Sequence, residues 1–329
     1  MKRGACATMG VGVIVLALSG DRAAKIAAQQ PPANPLSGTR LSLDEVKQQF
    51  FRVSAGRRLR PRSWPNNSKV AVALSFDVDN ASPALSRGDL GPEILSRGEY
   101  GAIDGLPRIL RLLDTHNIAA SFFIPAVSAA LHPQMVGDIL ARQRHEIGIH
   151  GWIHEHLLVL DNEAEEQRLL TQSIEFLTKA IGKRPVGYRA PSWAFSRYTA
   201  KQVKEAGFLY DSSLMASDDP YELLLGGQRT GVIELPIEWI LDDNAYFGAT
   251  ANGSLPSADL ALQTFQSEFD AAYEEGGLYI LTMHPHIIGH RSRIALLDRL
   301  ITHMKSKQGV WFATHEQVAR YVKAILSTP

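Results

Sequence analysis

The stretch HEIGIHGWIHEH, residues 145–156, carries four of the eleven histidines of the chain. Its first part, Glu146 to Ile149, reads as a short buried strand. His150 and His154 follow, and on a helical turn two rings four residues apart would project from one face, about 5–6 Å apart. Such a pair suits a divalent metal if a third, acidic ligand exists elsewhere. Solvated surface histidines, or a core imidazole, would fit the same pattern.

The composition of the 329-residue chain is that of an ordinary globular protein. Lys and Arg together number 34, as do Asp and Glu. The chain therefore has no net positive charge that would attract nucleic acid or an anionic membrane. The only cysteine, Cys6, precedes the folded part, which excludes thiolate metal ligands and a cysteine nucleophile there. A metal must therefore be held by histidines and carboxylates. Nothing in the composition sets an oligomeric state.

Residues 1–28 have the pattern of a secretory signal peptide. Lys2 and Arg3 precede an apolar run that is densest over residues 10–18, and small residues follow it. The run is shorter than the roughly 20 residues of a membrane span. We therefore expect export to the periplasm or the extracellular space and no stable membrane span, with an uncleaved anchor as the alternative.

Two further segments follow this leader. Residues 29–67 are rich in Gln, Pro and Arg and predict a flexible arm with one short helix, Leu43 to Phe51. Residues 68–329 alternate apolar runs of strand length with amphipathic helical stretches, which predicts a parallel sheet. Seven or eight such units favour an α/β fold, a closed or distorted parallel (β/α) barrel with its active site at the carboxyl ends of the strands. The segment from Asp211 to Gly231 lacks periodicity and reads as an elaborated loop.

Chemically reactive residues follow five of the predicted strands. The buried run 70–76 ends in Asp77 and Asp79, and carboxylates there are costly unless they bind something, although a plain turn is the alternative. The other four strand ends carry His150 with His154, Arg189, Glu238 with Trp239, and His284 with His286. Because the carboxyl ends of barrel strands lie on one face, we expect these side chains to meet.

Four of these motifs, in this order, resemble the polysaccharide deacetylase family, the metal-dependent esterases of carbohydrate esterase family 4. They are SFDVD (75–79), HGWIH (150–154), RAP (189–191) and LTMHP (281–285). The resemblance runs from about Lys69 to Phe312. It is nearest to the branch with peptidoglycan deacetylase-like and allantoinase-like proteins, with which the chain shares YRAPSW (188–193).

The resemblance implies a role for each residue of the motifs. The metal, zinc or another divalent ion such as Co²⁺, would be held by Asp79, His150 and His154. Asp77 would be the general base, oriented by Arg189, and His284 the general acid. Three further residues are candidates for substrate contact, namely Pro191, Trp193 and Trp239, although either tryptophan fits a core position equally well. Val78 stands between the two aspartates where most of the family has them adjacent, and this departure leaves the substrate open.

The resemblance implies a hydrolase of carbon–nitrogen bonds in linear amides. The leading hypothesis is a secreted, metal-dependent amidohydrolase that removes N-acetyl groups from an amino-sugar glycan, either peptidoglycan or a chitin-like oligosaccharide. The alternative is hydrolysis of small cyclic imides or ureides, as in allantoinase-like enzymes. A catalytically silent glycan-binding protein is a third reading, and the presence of base, ligands and acid speaks against it.

Overall fold

The computed structural model describes residues 37–248 and 257–326. The predicted signal peptide, residues 1–28, lies outside the described residues. The larger of two compact units begins at Ser42. Within the described ranges, no helix combines the length and the apolar character needed to cross a membrane.

Ten strands form one sheet among the described residues. They are β1 (Val53–Arg58), β2 (Val70–Asp77), β3 (Ser121–Ile124), β4 (Glu146–Ile149), β5 (Gly187–Tyr188), β6 (Tyr210–Asp211), β7 (Tyr221–Leu225), β8 (Gln228–Glu234), β9 (Leu278–Met283) and β10 (Val310–Phe312). The strand order is β1-β7-β8-β6-β5-β4-β3-β2-β10, and β9 also pairs with β2. Eight strands pair in parallel, while β7 pairs antiparallel with both β1 and β8.

The sheet curls into a distorted barrel with a seam between β8 and β9. The segment after β8 reaches β9 through an isolated parallel bridge between Asp242 and Thr282. Strand β2 pairs with β3, β9 and β10, and all eight of its residues are buried. Both faces of β2 are covered, which is why its sequence is a nearly continuous apolar run. The predicted fold class, a distorted parallel (β/α) barrel, is confirmed.

Fourteen α-helices surround the sheet in the described part of the chain. They are α1 (Leu43–Phe50), α2 (Ser82–Ser86), α3 (Pro92–Tyr100), α4 (Leu106–His116), α5 (Ala126–Leu131), α6 (Gln134–Leu140), α7 (Leu157–Leu160), α8 (Glu163–Ile181), α9 (Thr199–Glu205), α10 (Asp243–Phe247), α11 (Ala258–Glu275), α12 (Pro285–Ile288), α13 (Arg291–Lys305) and α14 (His315–Leu326). A π-helical turn, Gly101–Gly105, joins α3 to α4.

The alternation of side chains along β2 places the first site residue inside the barrel. Its even-numbered residues, among them Val72 and Leu74, belong to the core cluster shared with the surrounding helices. Ala71 and Ala73 belong to a second cluster with residues of the other strands. Because successive strand residues point to opposite faces, Asp77 lies on the same face as these two alanines.

The structure corrects the predicted flexible arm, residues 29–67, over its described part from Val53 to Trp64. Strand β1 is hydrogen-bonded to β7 at the edge of the sheet, and Trp64 is buried with its indole N–H donating to the carbonyl oxygen of Gly276. The basic cluster there is partly paired, since Arg57 contacts Glu222 and Arg60 contacts Asp219 at 3.4 Å each. The arm was predicted from composition, which does not show that these arginines have carboxylate partners far along the chain.

The predicted loop from Asp211 to Gly231 was also wrong. It contains β7 and the first part of β8, joined in a tight hairpin at Gly226-Gly227, where both residues have positive φ. Two adjacent glycines between short strands are a recognised signal for such a turn. The sequence pattern did not predict these strands, because their buried and partly exposed positions do not alternate regularly.

Candidate active site

The carboxylate at the end of β2 is held by a buried arginine. Asp77 Oδ1 accepts a hydrogen bond from Arg189 Nη1 at 2.7 Å, and both side chains are buried. Arg189 also donates to the hydroxyl of Ser75 and to the carbonyl and hydroxyl oxygens of Ser212, and it lies over the ring of Phe123. Burial would raise the pKa of Asp77, but Arg189 and nearby histidines outweigh it and lower the pKa. Asp77 is therefore ionised and fixed in orientation.

Asp79, His150 and His154 converge beside this pair. Asp79 Oδ1 lies 3.5 Å from His150 Nε2, and Asp79 Oδ2 lies 3.5 Å from His154 Nε2. The other ring nitrogen of His150, Nδ1, lies 2.9 Å from the carbonyl oxygen of Arg189. That contact makes Nδ1 the donor and leaves Nε2 unprotonated on the side of Asp79. A hydrogen bond from the other ring nitrogen to a carbonyl oxygen commonly orients a metal-ligating histidine in this way.

The three residues fit a divalent metal ion. Four ligands at zinc bond lengths stand about 3.3–3.6 Å apart, which is the spacing between these nitrogen and oxygen atoms. Asp79 Oδ1 is buried without a hydrogen-bond partner in the described structure. Burial raises the pKa of Asp79 well above its ordinary value and lowers the pKa of His150 to about 4. A cation held here would compensate the buried carboxylate, and the neutral imidazoles are ready to ligate it.

The expectation that a helical turn aligns the two histidines was wrong. Residues 150–156 are irregular, and His154 has a φ of 60°. The loop is held instead by Glu155, which is buried and accepts hydrogen bonds from the backbone N–H groups of Trp152 and Ile153 at 2.9–3.0 Å. The rings of His150 and His154 still meet, with centroids 5.0 Å apart.

His284 lies opposite these ligands, between two groups of carboxylates. Its Nε2 is 3.7 Å from Asp79 Oδ2, and its Nδ1 is 2.7 Å from Asp243 Oδ1. Asp243 Oδ2 also accepts from the backbone N–H of His284 at 3.0 Å. Burial would lower the pKa of His284, but Asp243, Asp242 and Asp79 outweigh it and hold the pKa well above its ordinary value. The ring is thus kept protonated, as a proton donor requires.

Asp242 and Asp243 were missed by the sequence analysis. They follow an apolar stretch with no strand-like pattern; Asp242 is the N-cap of the short helix α10 and Asp243 is its first residue. Both are buried, but nothing in the local sequence marks that burial, because it results from the seam, where Asp242 bridges to β9. Burial raises the pKa of Asp242 to about 7. Glu238, also expected at the site, is exposed and caps the turn at Trp239.

Comparison with known proteins places this geometry in a family. A family model described as polysaccharide deacetylase matches residues 89–210. A crystal structure from Mycobacterium smegmatis, assigned to the polysaccharide deacetylases, is 37% identical, with a TM-score of 0.75 over 84% of this chain and 97% of that chain. The chain belongs to the polysaccharide deacetylase family. As a deacetylase it is a hydrolase of amide bonds, which confirms the predicted enzyme class.

Other relatives of this deacetylase also match it over most of its length. The peptidoglycan deacetylase of Helicobacter pylori is 28% identical over 282 residues, which span 76% of this chain and 95% of the relative. An allantoinase of known structure has the same fold, with a TM-score of 0.74 and 24% identity over 84% of this chain and 96% of that chain. The matches thus extend well beyond residues 89–210 of the deacetylase.

The predicted substrate contacts of the deacetylase lie on loops after β5 and β8. Trp193 is buried and Trp239 is 47% exposed, and their ring centroids are 4.3 Å apart. Pro191 is buried beside Gly151, and Gly151 lies between His150 and His154 in the chain. His286, which had no predicted role, has its ring centroid 5.7 Å from that of His284. The structure brings the tryptophans together as one aromatic surface.

A glycine face on α3 and the π-helical turn holds two loops of the deacetylase site together. Gly98, Gly101 and Gly105 form this face, and a Cβ atom at each position would overlap neighbouring atoms. At Gly98 it would overlap the backbone of Asn80 and Ala81, directly after Asp79, and at Gly105 the backbone of Pro285, directly after His284. Only glycine permits so close an approach. This helical segment therefore packs directly on the backbone that carries both residues.

Proposed function

We propose that this deacetylase is an exported, metal-dependent enzyme that removes N-acetyl groups from an amino-sugar glycan. The observation that carries the proposal is the convergence of three units on one face of the barrel. These are the ionised Asp77 with Arg189, the ligand set around Asp79, and the protonated His284 with Asp243. Amide hydrolysis needs a base, an electrophilic centre and an acid, and each unit suits one of these tasks.

The metal would be held by Asp79, His150 and His154, with zinc as the leading candidate and Co²⁺ as the alternative. Two histidines and one carboxylate leave a coordination position open, as catalytic zinc sites do. When bound, the ion polarises the amide carbonyl and acidifies the attacking water. The backbone carbonyl of Arg189 fixes the His150 ring for this purpose.

Proton transfer is divided between two side chains of the deacetylase. Asp77 Oδ1 is occupied by Arg189, whereas Oδ2 is 3.7 Å from His150 Nε2 and so faces the ligand set. Asp77 Oδ2 accepts the proton of the attacking water as general base. His284 Nε2, which also faces Asp79, donates its proton to the departing nitrogen, while Asp243 retains the hydrogen on Nδ1.

The substrate class is inferred from the relatives and the leader. The Helicobacter pylori relative is named a peptidoglycan deacetylase, and the predicted secretory signal would carry this chain to the compartment where such glycans lie. The exposed ring of Trp239 against Trp193 offers an apolar surface for a sugar ring. Cell fractionation with N-terminal sequencing would test the export and the removal of residues 1–28, and a full-length cytoplasmic protein would refute both.

The decisive test compares substrates on the metal-loaded protein. Zinc-loaded and chelator-treated samples are incubated with N-acetylglucosamine oligomers, with isolated cell-wall glycan and with small cyclic amides, and the acetate or ring-opened product is quantified. Asp77→Asn serves as the matched control, because it keeps the shape of the base and removes its proton affinity. Metal-dependent acetate release by the wild type alone supports the proposal. Product from the cyclic amides alone would assign the enzyme to small-ring hydrolysis instead.

A further inference from the structure

A buried histidine that has no part in the chemistry above lies beneath Arg189. His315 begins α14 and has no exposed surface. Its Nε2 is 3.3 Å from Arg189 Nη2, and its Nδ1 is 3.1 Å from Ser121 Oγ. Its ring packs edge-on against Phe123, which also lies under the Arg189 guanidinium. The histidine is thus enclosed in the barrel interior next to the arginine that holds the base.

The hydrogen-bond partners of His315 determine which of its ring nitrogens carries the proton. A guanidinium has donors only, so the Arg189 Nη2 contact requires Nε2 to be the acceptor. Nδ1 must then carry the hydrogen and donate it to Ser121 Oγ. Burial, with the positive charge of Arg189, lowers the pKa of His315 well below its ordinary value, which agrees with a neutral ring.

The chain of hydrogen bonds ends at a second buried acid. Ser121 Oγ accepts from the backbone N–H and from Nδ1 of His315, so its own hydrogen goes to Glu146 Oε2 at 2.9 Å. Glu146 Oε2 also accepts from the backbone N–H of Glu316, and Oε1 accepts from the hydroxyl of Tyr210 at 2.7 Å. Every contact of this carboxylate is with a donor, which is the pattern of an ionised group.

We propose that His315 is a positioning residue for the deacetylase reaction, held by Ser121 and Glu146 as the neutral Nδ1–H tautomer so that its Nε2 fixes Arg189 on Asp77. The inference rests on the proposed function, because it concerns the arginine that orients the base. Without His315, Nη2 loses one of the two acceptors that it has among the described residues and keeps the hydroxyl of Ser212, so this end of the guanidinium is held less firmly than Nε and Nη1.

The role should appear in the chemical step rather than in binding. Arg189 contacts the base Asp77 directly, whereas Trp239, the exposed member of the tryptophan pair, lies on the loop after β8 and not on the loop that carries Arg189. When Asp77 takes up a proton, its partnership with Arg189 weakens, and the acceptor on His315 keeps the guanidinium in place for the next turnover. Loss of this acceptor should therefore lower kcat with little effect on KM.

The experiment uses the full zinc-loaded chain, N-acetylglucosamine oligomers and two variants. His315→Phe keeps an aromatic ring and removes the acceptor, whereas His315→Gln keeps an acceptor that can reach Arg189. Because a hydrogen bond to a charged group is at stake, His315→Phe should lower kcat about ten- to a hundredfold, with KM and metal content close to those of the wild type. His315→Gln should recover most of the loss. In ¹⁵N-histidine NMR of the wild type, the His315 signals should show hydrogen on Nδ1 and none on Nε2.

Two outcomes would overturn the inference. One is a wild-type kcat in His315→Phe, or an equal loss in both variants, which would indicate a packing role only. The other is an NMR signal with the hydrogen on Nε2, which would exclude the contact with Arg189 even if His315→Phe did not fold. If the wild type released no acetate, the proposed function would fail, and the NMR result would still decide whether His315 holds Arg189.

Discussion

Replacing Asp243 with Asn should shift the pH dependence of the deacetylase through His284. Asp243 makes two contacts with that residue, one to the ring Nδ1 at 2.7 Å and one to the backbone N–H at 3.0 Å. Asparagine keeps the shape and removes the charge. Hydrogen bonds to charged groups are worth about 1.5–3 kcal/mol, so His284 should lose about that much stabilisation of its protonated form.

The sign of the effect follows from the role of His284. Its pKa is raised in the folded protein, and the acid is active only while protonated, so the rate falls as the pH rises through that pKa. With Asp243→Asn the pKa is lower, and the basic limb of the kcat/KM profile should move about one to two pH units toward acid. At a pH above the basic limbs of both proteins, the rate should be about 10- to 150-fold below that of the wild type.

The assay is acetate release from N-acetylglucosamine oligomers between pH 5 and 10 with constant zinc. Asp242→Asn is the matched control, because Asp242 Oδ1 lies 3.6 Å from His284 Nδ1 and instead caps the N–H of Asn244. Its basic limb should move less. A uniform loss of rate in Asp243→Asn with an unmoved basic limb, or a larger shift in Asp242→Asn, would refute the assignment of His284 as the acid held by Asp243.

Three further predictions concern the metal site and its support. Zinc uptake near pH 7 should release no more than about one proton, because burial raises the pKa of Asp79, whereas the pKa of His150 is already lowered to about 4 and that of His154 lies well below its ordinary value. Calorimetry in buffers of different ionisation enthalpy measures the release, and two or more protons would contradict this prediction. Glu155→Gln should weaken zinc binding about tenfold in chelator competition, since the loop between the ligand histidines loses a charged acceptor, whereas Glu163→Gln on the exposed surface should not. Gly105→Ala should cost about 1–3 kcal/mol of unfolding free energy and several degrees of Tm, because the new methyl group meets the carbonyl of Pro285; Gly137→Ala in α6, with nothing within 4 Å, should leave Tm unchanged or raise it.

The sequence predicts those parts of the fold that are determined by residues close together in the chain. The apolar run 70–76 was predicted within one residue of the observed bounds of β2, Val70–Asp77, since a continuous apolar run indicates burial on both faces. The meeting of Asp77, Arg189 and His284 was predicted from one topological rule about strand ends. Neither inference needed knowledge of a distant contact.

The features that were missed depend on distant contacts. Strand β1 looked like an arm because its partner β7 lies some 170 residues later, as in the pairing of Val53 with Leu225. Asp243 has no signal of its own until the seam brings it to His284. The His150–His154 pair was placed correctly but for the wrong reason, because the buried Glu155 that shapes their loop resembles any other acidic residue in a charged stretch.

The glycine face of α3 and the π-helical turn has a consequence for how this enzyme could diversify. The backbones after Asp79 and after His284 touch that segment without any side chain between them, so their separation is set by main-chain van der Waals radii. No change of side-chain rotamer can shorten this separation, and a larger residue in place of one of the glycines can only lengthen it. The distance between His284 and the proposed metal site is therefore difficult to change by substitution. Evolution toward new substrates would have to act on the loops at the rim of the site, such as those of Trp193 and Trp239.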